Sequence, residues 1–314
     1  MRHIATRVAQ LVLVLLAVTF ITTFLISRFR GGDDTIICSI LGPECGNVER
    51  AEQLRQDLHL DEPVVQRWLS WVGDAVQGDL GISAASGREV STLIIDRAGV
   101  SIAIVVYAQI IALLIAVPLG VLTAHRQGTV VDRAANTAAF GLLAMPNYVL
   151  ALILILIFPF GLGLFPAVAD AEVGPFDVNQ LFLPALSLAL GLVAVYLRLL
   201  RTDMIATLQE DFIGMAKAKG MPTRRVLLRH ALRPSSLNLL TTIGLNFGNL
   251  IAGAVVIEVI FTIPGLGTLL TTAVAQRDIF VIQGVTAVIA VTFVVINFLV
   301  DTTYSILDPR IRRG

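Results

Sequence analysis

No G-x-x-x-x-G-K-[ST] phosphate loop occurs in the 314 residues, so the chain does not bind ATP in the P-loop manner. There are two cysteines and four histidines, none spaced as a zinc or iron–sulfur ligand set, and neither a metal nor another cofactor is expected in this chain. Charge is scarce. Charged residues make up 15%, against about 25% in soluble domains, and Lys217 and Lys219 are the only lysines among 23 basic residues. Segments of about 10 residues with alternating hydropathy, the mark of an outer-membrane barrel, are missing too. No nucleic acid is expected among its partners. What is abundant is apolar: 56% hydrophobic residues and a mean hydropathy of +0.82. These values identify an integral membrane chain.

Six apolar runs reach the roughly 20 residues that a helix needs to cross about 30 Å of hydrocarbon. They lie at Val8–Ile26 and near Gly99–Ala124, Thr137–Phe158, Leu181–Leu200, Leu237–Phe261 and Val281–Val300. Backbone polar groups in lipid must be satisfied within the segment, so each run is read as a helix. The expected fold is all-α with six transmembrane helices. The first run is longer than the 7–15-residue core of a signal peptide, and "ISRFRGG" offers no small-x-small cleavage site, so it is read as an anchored helix.

The arginines and the two lysines predict orientation. Arg2 and Arg7, Arg126 and Arg133, the 201–236 connection and Arg310, Arg312 and Arg313 alternate with short connections that are acidic or nearly uncharged, such as "AVADAEVGPFDVNQ". Both termini, including the 306–314 tail, and the 201–236 loop are therefore expected in the cytoplasm. The 28–97 segment, between helix 1 (within 1–27) and a five-helix core (98–305), carries seven arginines against twelve acids. Long segments translocate largely regardless of charge.

Within 28–97, "NVERAEQLRQDLHL" and "EPVVQRWLSWVGDAV" read as amphipathic helices, capped by Asn47 and opened by Pro63. Leu54, Leu58, Val64, Trp68, Leu69 and Val72 are their expected buried face, in a small extracytoplasmic helical cap. Cys38 and Cys45 flank a Gly-Pro pair that favours a turn, and an extracytoplasmic site permits a disulfide. The alternative is two free thiols.

One connection carries more than orientation requires. "DFIGMAKAKGMPTRRVLLRHALRPSS" (211–236) holds six lysines and arginines. Asp211–Lys219 reads as a short helix with Phe212 and Met215 on one face and Lys219 a turn further on. Gly220 falls where a left-handed residue ends a helix, and Pro222 forbids continuation. A second helix, Thr223–Leu232, stacks Arg225 on Arg229, with Pro234 expected to close it. A lipid-facing basic loop needs no glycine elbow. Gly214, Ala216 and Ala218 leave the first helix nearly bare of bulk, which suits close approach by another protein.

This segment resembles the EAA loop of ABC-importer permeases, in the form used by dipeptide and oligopeptide permeases. The likeness extends upstream through Arg198, Arg201, Met204, Leu208, Glu210 and Asp211, and through "AKAKG" and "RRVLLRHALR". "GDLG" (78–81), "LPALSLAL" (183–190), "VIEVIFTIPGLG" (256–267) and "LVDTTYSILDPRIR" (299–312) also look like that family. Departures are Gly214-Met215-Ala216 in place of Glu-Ala-Ala, "RGGDDT" after helix 1, and the additional "CSILGPEC".

The resemblance implies a type I importer permease in a bacterial cytoplasmic membrane, paired with a second, homologous permease. It implies two ATPase subunits or domains that hold ATP and Mg, an extracytoplasmic binding protein, and a peptide substrate, with nickel and glutathione as alternatives in the same class. Asp211, Phe212, Met215, Ala216, Lys217, Ala218, Lys219, Gly220, Arg225 and Arg229 would then form the ATPase-coupling element, and the chain would have no catalytic residues.

Ionisable and amide groups inside spans are candidates for a substrate path. Asn246, Asn249 and Glu258 share one helix with Gly244, Gly248 and Gly253. Each has a structural alternative: interhelical hydrogen bonding with close glycine packing for the asparagines, and support of the "TIPGLG" turn for Glu258. Pro118, Pro146 and Pro184 are expected to kink their helices, and Asp301 to pair with an arginine. A secondary transporter or a membrane scaffold or sensor are rival readings. The first should show inverted repeats and midplane charges, and no such repeat is visible.

Overall fold

The computed structural model describes residues 2–27, 37–38, 41–57 and 62–307, with side chains between 12 and 298. Among these residues the structure is helical, apart from one isolated antiparallel bridge between Ile82 and Glu89. The chain divides into two compact units, residues 1–99 with 264–298 and residues 100–263 with 299–314.

The helices are α1 (Arg2–Ser27), α2 (Val48–Asp57), α3 (Val64–Val76), α4 (Val90–His125), α5 (Val130–Ala144), α6 (Asn147–Ile155), α7 (Val178–Leu208), α8 (Asp211–Ala218), α9 (Thr223–Ile260), α10 (Leu266–Gln276) and α11 (Ile279–Leu307). Among the described residues, α4, α7, α9 and α11 are long and apolar enough to span a bilayer, and a fifth span results if α5 and α6 are counted together. α1 is 26 residues long, and its described side chains include the apolar stretch Val12–Leu25.

The second unit is built around α7, which packs against α5, α6 and α9. Two-thirds of its apolar window is buried, twice the share for α9. Leu181, Leu188, Tyr196, Leu197, Leu200 and Met204 fill the core. The run expected as one span at Thr137–Phe158 is instead broken, with α5 and α6 meeting at 105°. The cause is local. Met145 is extended (φ −100°, ψ 126°), as a residue before proline prefers, and Pro146 stands at the start of α6. Pro118 and Pro184, by contrast, sit inside continuous helices. α6 continues into a π-helical stretch, Leu156–Leu162, that ends at Gly163 with φ +66°.

In the first unit, Trp68 of α3 donates its indole N–H to Thr19 of α1 at 3.1 Å, and its ring meets Phe20 edge-on. Gln283 of α11 reaches Thr23 of α1 at 2.8 Å. A small core of Val90, Leu93, Ile94, Leu266, Leu269 and Val285 lies nearby. α10 lies between the fifth and sixth apolar runs of the sequence.

Asn47 caps α2 through its side chain, which accepts the Arg50 N–H at 3.3 Å, and Pro63 precedes α3. The expected buried face of α3 is corrected at two places. Trp71 is fully buried, and Leu69 is 56% exposed. At 100° per residue the stripe through Val64, Trp68, Trp71 and Ala75 excludes Leu69, which falls on the flank with Val65 and Val76. The Leu54 and Leu58 side chains, Asp301 and the basic tail lie outside the described residues. Cys38 and Cys45 are joined as a disulfide, Cys45 lying within the short 3-10 turn Gly42–Gly46.

Candidate coupling element and polar bundle

The α7 helix does not fray before the 211–236 connection. Gln209 and Glu210 donate their N–H groups back to Ala206 and Thr207, and Ile213 donates to Glu210. α8 therefore leaves α7 through a two-residue link with its backbone bonds made. α8 has two distinct faces. Ile213 and Ala216 are buried in the chain's own core, while Phe212 and Met215 are 42% and 61% exposed. Together they form an exposed apolar pair on a helix whose other exposed residues are small or charged. Asp211, Gly214, Lys217, Ala218, Lys219 and Gly220 are also exposed.

The helix ends in a Schellman motif. Gly220 is left-handed at φ +73°, its N–H reaches the Lys217 carbonyl at 2.9 Å, and the Met221 N–H reaches that of Ala216 at 3.3 Å. The elbow expected at Gly220 is thus present. Ala216, however, leaves the set of small residues offered to another protein, because its i, i+3 spacing with Ile213 turns it inward.

The expected helix Thr223–Leu232 does not stop at Pro234. The chain runs from Thr223 to Ile260 as one helix, with a π-helical stretch at Val226–Ala231. After that stretch an α-helix restarts at Leu232, and Pro234 stands in its first turn, where a missing N–H costs little. Val226 and Ala231 are buried, and Arg225 and Arg229 are exposed. The base of the element is tied across α7 and α9. Thr207 and Ser235 share a hydrogen bond of 2.9 Å, and Asn238 donates to Asp203 at 3.1 Å.

A buried ion pair escaped the sequence reading. The Arg201 guanidinium grips Asp132 with two bonds, Nε to Oδ1 at 2.6 Å and Nη2 to Oδ2 at 2.8 Å. The same carboxylate accepts the Gly128 N–H and the Asn136 amide, each at 2.8 Å. Thr129-x-x-Asp132 is legible as a helix start, and Thr129 does cap α5. Nothing in the sequence pairs it with a residue 69 positions on.

The three path candidates do not converge. Asn246 is half-buried and donates to the Thr242 carbonyl, Asn249 is exposed, and Glu258 is buried and engaged. The Glu258 carbonyl accepts the Ile263 N–H at 2.8 Å, and so holds the start of the "TIPGLG" turn. Gly244 and Gly248 are buried. Gln109 of α4, missed in the sequence, accepts the Tyr196 hydroxyl at 3.1 Å. A cavity of about 220 Å³ in the first unit is lined by Ser83, Ser86, Arg97, Gln276 and Asp278, and by none of the path candidates. Among the described residues no cluster of His, Cys, Asp or Glu could hold a metal.

Comparison with known proteins gives one family. The profile described as "Binding-protein-dependent transport system inner membrane component" matches residues 116–313. The chain is 37% identical over 315 residues to the oligopeptide transport system permease protein AppB of Bacillus subtilis (strain 168), covering 98% of both. It is 35% identical over 314 residues to a putative peptide transport system permease protein of Brucella abortus (strain 2308), again covering 98% of both. It is 33% identical over 301 residues to the probable peptide ABC transporter permease protein y4tP of Sinorhizobium fredii, covering 95% of both.

Proposed function

The chain belongs to the family of inner-membrane components of binding-protein-dependent transport systems, and from that premise we propose that it is the permease subunit of an ATP-driven peptide importer. It is a multi-pass membrane subunit without catalytic residues. In the proposed assembly it pairs with a second, homologous permease and with two ATPase subunits or domains that bind ATP and Mg. A binding protein delivers substrate from outside. Six helices cross the membrane, α1 and the bent α5–α6 pair among them, and both termini and the 201–236 connection face the cytoplasm. Residues 28–97 form the extracytoplasmic cap.

The observation that carries this reading is the two-faced α8. An apolar pair, Phe212 and Met215, stands out from a short helix whose other face is fixed in the core. A groove on an ATPase would take that pair, and closure of two ATPases would move α8 and with it α7 and α9. Peptides are the proposed substrate because the relatives are named as peptide permeases, with nickel and glutathione as the alternatives.

The test is reconstitution of the complete complex with competition by dipeptides, tripeptides, longer peptides, nickel and glutathione. ATP-dependent uptake competed by peptides is expected. Uptake that survives ATP depletion and collapses with the proton gradient would overturn the reading in favour of a secondary transporter. No substrate movement with all partners present would favour a scaffold or sensor.

A further inference from the structure

We propose that Asp132 and Arg201 are positioning residues of the transport cycle, locking the α4–α5 turn and α5 to α7 so that movement received at α8 reaches the broken α5–α6 pair. The inference rests on the coupling reading of α8. α8 packs on the π-helical start of α9 and follows α7 through the bonded link at Gln209 and Glu210, so both helices take up its displacement directly. α5 is not joined by chain to α8 but packs on α7, so the displacement reaches it through α7. Arg201 lies ten residues before the start of α8 and is the hydrogen-bonded connection from α7 to α5 among the described residues.

The geometry is that of a rigid joint. Both carboxylate oxygens are used twice: Oδ1 by Arg201 and Asn136, Oδ2 by Arg201 and the Gly128 N–H. One buried anion therefore holds the turn that joins α4 to α5, the first turns of α5 itself, and α7. A bidentate guanidinium fixes orientation as well as distance, which a single-point contact would not. One turn earlier, Arg198 lies 4.8 Å from the Phe140 ring, a cation–π contact that adds to the packing of the same two helices.

The test uses the complete complex in proteoliposomes, with three readouts: yield of assembled complex, ATP hydrolysis stimulated by the binding protein, and substrate moved per ATP. Removing one partner leaves a buried charge and endangers folding, so the main variant is Asp132→Asn with Arg201→Met, which removes both charges. Normal yield and hydrolysis with a roughly tenfold fall in substrate per ATP is expected. Arg201→Lys, which keeps the charge and loses the fork, should fall between that variant and wild type. If the double variant assembles poorly, the Arg201→Lys ratio decides alone. Wild-type substrate per ATP in assembled variant complexes, with or without a loss of yield, would overturn the proposal and leave the coupling reading intact. A wild-type complex that shows no ATP-dependent uptake would overturn both.

Discussion

The Met221 N–H bonds the Ala216 carbonyl at 3.3 Å, and with the Gly220–Lys217 bond it closes α8 and turns the chain into α9. It forms only because Gly220, between them, is left-handed. A Cβ at Gly220 would meet nothing within 4 Å, so crowding plays no part and the cost of substitution is backbone strain. That cost is about 1–2 kcal/mol for an ordinary L-residue. Gly220→Asn should be tolerated best, Gly220→Ala less, and Gly220→Val least. The graded loss should appear in ATP-driven uptake and in co-purification of the ATPase, with membrane insertion unchanged. An uptake order that follows side-chain size instead would point to crowding against a partner.

The two faces of α8 separate docking from folding. Phe212→Ser and Met215→Ser act on exposed side chains and should leave thermal stability within about 0.5 kcal/mol of wild type while releasing the ATPase. Ile213→Ala empties a fully buried site and should cost about 2–5 kcal/mol in stability. Ala216→Trp belongs with Ile213→Ala, because the indole would be forced into the chain's own core. Thermal melting of the detergent-solubilised protein beside ATPase pull-down separates the classes. Equal stability loss in both would show that Phe212 and Met215 pack internally.

Much of this arrangement was legible in the sequence because it is local. Phe212 and Met215 fall on one face by i, i+3 spacing, Gly220 and Pro222 mark a helix end and a new start, and Asn47 marks the cap of α2. Non-local relationships were not legible. Arg201 reads as one more positive charge in a basic loop until the fold brings it onto Asp132. Pro234 reads as a stop, and only the preceding π-helical turn places it where a helix accepts proline. The Met145–Pro146 break was read as a kink, since an unbroken apolar run gives no measure of angle. α10 was hidden by length, its 11 residues being too few to stand out in a window of about 19.

Asp278 organises a different part of the chain and gives an independent check. Buried at the start of α11, it accepts the Ser83 hydroxyl at 2.6 Å, the Ala85 N–H at 3.2 Å and the Val281 N–H at 3.4 Å. Asp278→Ala deprives three donors at once and should destabilise by about 1–3 kcal/mol per donor left buried, less where water enters. Hydrogen exchange at residues 83–87 should accelerate. Asp278→Asn keeps one acceptor and should lie between. The ATPase interaction should not change, because Asp278 belongs to the first unit and α8 to the second.

Asn147 stands at the break in the span. It follows Pro146 directly, and its side chain lies between α7 and α9. A Cβ added to Gly191 would stand 3.0 Å from Asn147 Oδ1, and one added to Gly253 would stand 3.6 Å from Nδ2 and 3.2 Å from Leu188. Gly191 is therefore the glycine tight against the amide, while the tight neighbour of Gly253 is Leu188. Gly191→Ala requires the amide to give by a few tenths of an ångström and should cost about 1 kcal/mol, the low end of the penalty for overpacking. If the amide alone is the obstacle, Asn147→Ala should relieve most of that cost. The double-mutant cycle should give a coupling of about 0.5–3 kcal/mol between positions 147 and 191. Thermal unfolding of the four proteins measures it. Additive costs would mean that Gly191 is small for the sake of its own helix backbone, and that Asn147 does not hold α6 against α7.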